Sequence, residues 1–109
     1  MSVERELRRL GDDVAAVSDH YAEQHGIHRT PTWYLLKLQE EVGELTQAFL
    51  MRTGQARDKG LSATERDEAY RAELADVLCH VLLLARQDGV DLAAEAERKW
   101  LSRHPGRAR

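Results

Sequence analysis

The chain has 109 residues and a net charge of −3. This length predicts one domain with a single modest core. Its 16 basic residues form no stripe along the sequence, so the composition argues against a stable nucleic-acid partner. No run reaches the ~20 apolar residues of a membrane span, and charges interrupt the start "MSVERELRRL" where a signal peptide has its apolar core, so we expect a cytoplasmic protein with no membrane partner.

The apolar residues recur with helical spacing, and no segment alternates with a period of two over the length of a strand. We therefore predict an all-α chain with four helices. The first helix should begin near Val3 and end near Gly26. The second should begin at Thr30 and Pro31, a capping side chain followed by a proline in the first turn, and should stop at Gly54.

The third and fourth helices both have a start signal. Ser62 and Glu65 match the capping-box pattern, so a helix should follow them and run to about Gln87. Asp91 can cap the fourth helix, which should reach about Arg103. We expect the four helices to pack as an antiparallel bundle.

The third helix is apolar on nearly every side between residues 74 and 85, where only Asp76 and His80 are polar. We expect such a helix to be buried centrally or at a subunit interface. A four-helix unit of this size can cover only part of it, which favours a homo-oligomer, either a homodimer or a homotetramer. We assign residues 1–105 to one domain and residues 106–109 to a short basic tail.

Paired carboxylates on the second and third helices predict a metal site. Glu41 and Glu44 are three residues apart, so they project within about 60° of each other beside the apolar stripe. Glu73 and Asp76 repeat the spacing on the third helix. Two antiparallel helices can bring all four carboxylates around one point, and Mg²⁺ prefers such oxygen ligands.

Other interpretations of these acids remain open. The carboxylates of Glu40, Glu41 and Glu44 could form a solvated helix face, and Asp76 could pair with His80 one turn later. In that case the chain could be a non-catalytic helical interaction module. A carboxylate di-iron site is disfavoured, because such bundles use Glu-x-x-His motifs and the sequence contains none.

"EEVGEL" followed by "ELADVL" resembles the paired signature of the MazG-like all-α nucleoside triphosphate pyrophosphohydrolases, which is Glu-Glu-x-x-Glu and then Glu-x-x-Asp. The resemblance implies a four-helix, oligomeric MazG-like fold. It also implies that Mg²⁺, with Mn²⁺ as an alternative ion, is bound by Glu41, Glu44, Glu73 and Asp76. Glu40 and Glu41 are then the catalytic pair, with Glu40 as an outer-shell residue or a water-activating base.

The resemblance extends to residues that could bind the substrate. "RKWLSRHP" is similar to the Lys-Asn-x-x-Lys-Tyr-Pro segment of some relatives, which implies that Lys99 and Arg103 contact phosphate. Trp100 stands where those relatives have Asn. We also assign Lys37 to the substrate, and Trp33 to stacking on the base.

The implied activity is Mg²⁺-dependent hydrolysis of a nucleoside or deoxynucleoside triphosphate to its monophosphate and pyrophosphate, a house-cleaning step of nucleotide metabolism. An alternative comes from "ELADVLCHVLLLARQDGVDL", which also resembles phosphoribosyl-ATP pyrophosphohydrolase of histidine biosynthesis, including the His at position 80.

Overall fold

The computed structural model describes residues 2–107, and among these it contains helices and no strand, as predicted. Thr30, Ser62 and Asp91 cap the second, third and fourth helices with their side chains. Ser62 and Glu65 form the predicted capping box, and Gly26 ends the first helix in a left-handed conformation. The helices in chain order are α1 (Val3–His25), α2 (Pro31–Arg52), α3 (Ala63–Gln87) and α4 (Leu92–Lys99), followed by a 3-10 helix (Leu101–Arg103).

The predicted end of the fourth helix is wrong, because α4 stops at Lys99 instead of continuing to Arg103. A proline disfavours helical geometry in the residue before it, and His104, which precedes Pro105, is extended with φ −62° and ψ 127°. Between Lys99 and His104 the chain forms a 3-10 turn, which is frequent at the C-terminus of an α-helix.

The pair formed by α2 and α3 is the centre of the fold. Arg52 near the end of α2 contacts Asp67 near the start of α3, with Nε and Oδ1 3.0 Å apart. Farther from that end, Glu41 of α2 faces His80 of α3. These two contacts together place the acidic middle of α2 alongside the second half of α3.

The core is small and lies where α1 meets this pair. Ala15, Tyr34 and Leu83 form a buried cluster. The radius of gyration is 16.9 Å, whereas a compact domain of this length has about 13 Å. A single chain is therefore an open assembly of helices that leaves apolar surface uncovered.

Within one chain α3 is covered on only one side, so central burial does not hold, and burial at a subunit interface stays a prediction. Leu83 is buried by α1, but Leu74 and Leu78 are 48% and 47% exposed. The reason is that α1 packs against α3 near Leu83, and nothing in residues 2–107 covers the side that carries Leu74 and Leu78.

No helix among residues 2–107 is both long enough and apolar enough to cross a membrane. The predicted basic tail, 106–109, is described only to Arg107, so its last two residues lie outside the described part of the chain. The assignment of 1–105 to one domain stays a prediction.

Candidate metal centre

Three carboxylates from α2 and α3 converge on one point. Glu41 is buried, Glu73 is half-buried and Asp76 is exposed. Each offers a carboxylate oxygen, and the three oxygens lie within 4.8 Å of one another. We call these three residues the acidic cluster. It forms because the middle of α2 faces the second half of α3, so that side chains far apart in sequence become neighbours.

Glu44, the fourth predicted ligand, lies at the rim of the acidic cluster. It is exposed, and it is not among the three residues whose carboxylate oxygens lie within 4.8 Å of one another. Its charge nevertheless acts on both Glu41 and Glu73, since it contributes to the raised pKa of each. The structure therefore brings three of the four predicted ligands together and places the fourth beside them.

Glu41 and Glu73 of the acidic cluster hold their protons more tightly than ordinary glutamates. Burial raises the pKa of Glu41 to about 7, helped by Glu44 and Asp76 and opposed by Lys37. Burial is also the main reason why the pKa of Glu73 is raised, followed by the charges of Glu44 and Asp76. Bringing these acids together thus costs free energy once they ionise, unless a cation compensates them.

The residues present fit a divalent cation. The Oε2 atoms of Glu41 and Glu73 are buried and have no hydrogen-bond partner. Buried polar atoms are normally satisfied, and a buried charge is normally paired or bound to a metal. Since every donor in the cluster is a carboxylate oxygen, the set suits a hard ion such as Mg²⁺ or Mn²⁺ better than a soft one.

Lys37 is the cation nearest to the cluster among the described residues. Its Nζ lies 3.4 Å from Oε1 of Glu40 and 3.9 Å from Oε1 of Glu41. Glu40, predicted as catalytic, is exposed and pairs with Lys37 beside the cluster. The predicted substrate residue Lys37 and the predicted base Glu40 therefore share one edge of the site.

The contact between His80 and Glu41 is the part of the site that the sequence did not reveal. Nε2 of His80 lies 3.8 Å from Oε1 of Glu41, and Nδ1 of His80 is buried without a hydrogen-bond partner. Burial lowers the pKa of His80, with Lys37 acting in the same direction. The nearest carboxylate of His80 is thus that of Glu41 on the other helix, whereas the sequence left open a pair with Asp76 one turn earlier.

The remaining predicted substrate residues lie apart from this contact network. Lys99 and Arg103 are exposed, and neither forms an ion pair with an acid among residues 2–107. The helix that carries Lys99 packs against α1. Trp33 lies one turn before Lys37 but is half-buried against the core, with its ring centroid 5.2 Å from that of Tyr34.

Comparison with known proteins gives one match. The family model described as the MazG nucleotide pyrophosphohydrolase domain matches residues 29–108, a range that contains α2, α3 and α4 and leaves α1 outside. No curated protein and no solved structure matches the chain significantly.

Proposed function

We propose, because this chain belongs to the MazG nucleotide pyrophosphohydrolase domain family, that it hydrolyses a nucleoside or deoxynucleoside triphosphate to the monophosphate and pyrophosphate in a Mg²⁺-dependent reaction. The observation that carries the proposal is the acidic cluster. It lies within the matched region, its oxygens come from two helices, and two of them are buried without a partner. Removal of unwanted nucleotides from the cellular pool is the role that fits this chemistry.

In this proposal Glu41, Glu44, Glu73 and Asp76 hold the metal. Mg²⁺, when bound, neutralises phosphate oxygens and acidifies water so that a hydroxide-like nucleophile is available near neutral pH. Glu41 and Glu73 release their protons to bind the cation, because only the ionised carboxylates are effective ligands. His80 lies against Glu41 and limits how far its carboxylate can turn.

Glu40 and Lys37 have separate roles beside the metal. Glu40 is exposed, so its carboxylate can accept a proton from a water molecule at the edge of the cluster. Lys37 already lies between Glu40 and Glu41, and a point charge there can exchange its carboxylate partners for a phosphate oxygen. Lys99, Arg103 and Trp33 are further substrate contacts in the proposal, and the support for them is the sequence resemblance.

The proposal includes an antiparallel, oligomeric bundle, either a homodimer or a homotetramer. Leu35, Val42 and Phe49 recur every seven residues on α2 and are 51%, 38% and 42% exposed. Leu74 and Leu78 of α3 are exposed to a similar degree. Soluble monomers rarely leave so many large apolar side chains in contact with water, so self-association would stabilise this surface.

A product assay tests the reaction. The protein is incubated with Mg²⁺ and a panel of ribo- and deoxyribonucleoside triphosphates plus phosphoribosyl-ATP, and phosphate is measured with and without added inorganic pyrophosphatase. We expect pyrophosphate from at least one triphosphate, and none in the presence of EDTA. Glu73→Gln should be inactive, whereas Glu23→Gln, an exposed position on α1, should match the wild type.

Three outcomes would count against the proposal. Release of orthophosphate without pyrophosphate would exclude the reaction, and a strong preference for phosphoribosyl-ATP would favour the alternative from histidine biosynthesis. Equal binding and no turnover with every compound would favour a non-catalytic module.

A further inference from the structure

The segment that connects α2 to α3 forms an open cleft that the proposed chemistry does not use. The cleft has a volume of about 850 Å³ and lies between the end of α2, the connecting segment and the start of α3. Its charged lining consists of four cationic side chains and one carboxylate, namely Arg52, Arg57, Lys59, Arg66 and Asp58. We call these five residues the basic cleft. The chain as a whole has a net charge of −3, so this cationic lining is a local exception.

The basic cleft is separate from the acidic cluster. None of the residues that line the cleft belongs to the cluster. Arg52 follows Glu41 on α2, and Arg66 precedes Glu73 on α3, at separations that correspond to about 10 to 16 Å along the helix axes. An anion can therefore bind in the cleft whether or not a cation occupies the acidic cluster.

The walls of the basic cleft are held in place by contacts with α3. On one side Nε of Arg52 lies 3.0 Å from Oδ1 of Asp67. On the other side Arg66 donates to the carbonyl oxygen of Leu61 at 2.6 Å and to Oδ2 of Asp58 at 3.3 Å. These contacts shape the cleft before a ligand arrives, and a preorganised site loses less conformational entropy on binding.

Arg57 and Lys59 are the cations of the cleft that no carboxylate neutralises. Both are exposed, and neither forms an ion pair with an acid among residues 2–107. The turn that carries Lys59 is fixed, since Oδ1 of Asp58 accepts a hydrogen bond of 2.9 Å from the backbone N–H of Gly60. The paired arginines thus form the walls of the cleft, and two unpaired cations remain for an anion from solution.

We propose that the basic cleft binds a compact polyphosphate anion, either free pyrophosphate or the phosphate chain of a nucleotide, without a metal ion. An arginine fork matches the geometry of phosphate oxygens, and a lysine adds a point charge. Three acids at the start of α3, Glu65, Asp67 and Glu68, would repel a longer polyanion that extends past the cleft. The lining therefore favours a compact anion over a nucleic acid.

Calorimetric titration of the full chain with pyrophosphate in EDTA tests the site. We expect binding that weakens as the salt concentration rises. A variant with both Arg57→Gln and Lys59→Gln should raise Kd at least about tenfold, as expected for the loss of two charged hydrogen-bond donors. Both positions are exposed, so the helical circular dichroism should be unchanged. The matched control carries Arg5→Gln and Arg9→Gln, which remove the same charge from exposed positions of α1 outside the cleft, and its Kd should stay close to that of the wild type.

Two further ligands identify the source of the phosphate groups. A nucleoside triphosphate and the corresponding nucleoside are titrated under the same conditions. Tighter binding of the triphosphate than of pyrophosphate would identify a nucleotide as the ligand, and the reverse order would identify the free anion. Either order supports the inference, and the nucleoside should not bind, because it lacks the groups that the cleft recognises.

Three results would overturn the inference. Neither phosphate compound could bind in EDTA, the α1 control could weaken binding as much as the cleft variant, or a single-stranded oligonucleotide could bind more tightly than both small anions. The inference does not depend on the proposed reaction. Glu73→Gln, which should abolish turnover, should bind pyrophosphate in EDTA at least as tightly as the wild type, so the two proposals can fail separately.

Discussion

Replacing Glu41 by Gln should stabilise the metal-free protein at alkaline pH and change little at acidic pH. The pKa of Glu41 is about 7 in the folded chain against an ordinary 4.5. Between these values the folded protein keeps a proton that the unfolded chain has lost, so the free energy of unfolding falls as the pH rises through this window. A neutral Gln of the same shape does not suffer this loss.

The magnitude follows from the width of the window. Each pH unit costs up to about 1.4 kcal/mol, so the rise of the pKa from 4.5 to about 7 costs at most about 3.5 kcal/mol. Lys37, 3.9 Å from Glu41, and solvent screening make this an upper limit. With a urea dependence of roughly 1 to 3 kcal/mol per molar, this upper limit raises the denaturation midpoint of Glu41→Gln above that of the wild type by about 1 to 3.5 M at about pH 8.

Urea unfolding followed by circular dichroism, with EDTA present, measures this effect. At about pH 5 the two proteins should have similar midpoints, because the wild-type carboxyl group is then protonated when folded. Glu40→Gln is the control, since that side chain is exposed, and its midpoint should stay close to the wild type at both pH values. If Glu41→Gln gave the same change at both pH values, the explanation based on burial and repulsion would be incorrect.

Three further predictions concern the metal and the substrate. Mg²⁺ binding should weaken as the pH falls below about 7 and should release protons, because the raised pKa values of Glu41 and Glu73 oppose ionisation. Calorimetry in buffers of different ionisation enthalpy measures the number of protons released. Binding without proton release would contradict this prediction. Asp76→Asn should reduce kcat at least about a hundredfold at unchanged helical content, as expected for loss of a metal ligand, and near-normal turnover would show that Asp76 is not a ligand. Lys37→Met should raise KM more than it lowers kcat, whereas an unchanged KM would remove Lys37 from the substrate site.

Much of the site could be predicted from the sequence because helical spacing is a local property. The i and i+3 acids on α2 and α3 must project to one side of each helix, and two packed helices bring such sides together. The structure accordingly gathers Glu41, Glu73 and Asp76. The placement of Glu44 at the rim depends on the rotation of α2 against α3 and on a side-chain rotamer, and neither can be obtained from the spacing.

The features that the sequence did not predict depend on long-range packing. His80 lies next to Glu41 only because α3 packs along α2 in one register, and a histidine in an apolar run gives no sign of its partner. Partial exposure of α3 in one chain is expected from its apolar run, but which residues stay exposed, here Leu74 and Leu78, depends on where α1 packs. The end of α4 at Lys99 also has no local signal, because Pro105 disfavours helical geometry only at His104.

Phosphorus NMR of the protein with Mg²⁺ and a triphosphate that it hydrolyses in the product assay tests the central claim most directly. One such spectrum resolves every phosphate-containing product. The proposed function predicts nucleoside monophosphate and pyrophosphate in equal amounts, with no diphosphate intermediate, and an unchanged triphosphate spectrum for Glu73→Gln. Nucleoside diphosphate with orthophosphate, or equal product formation by Glu73→Gln, would contradict it.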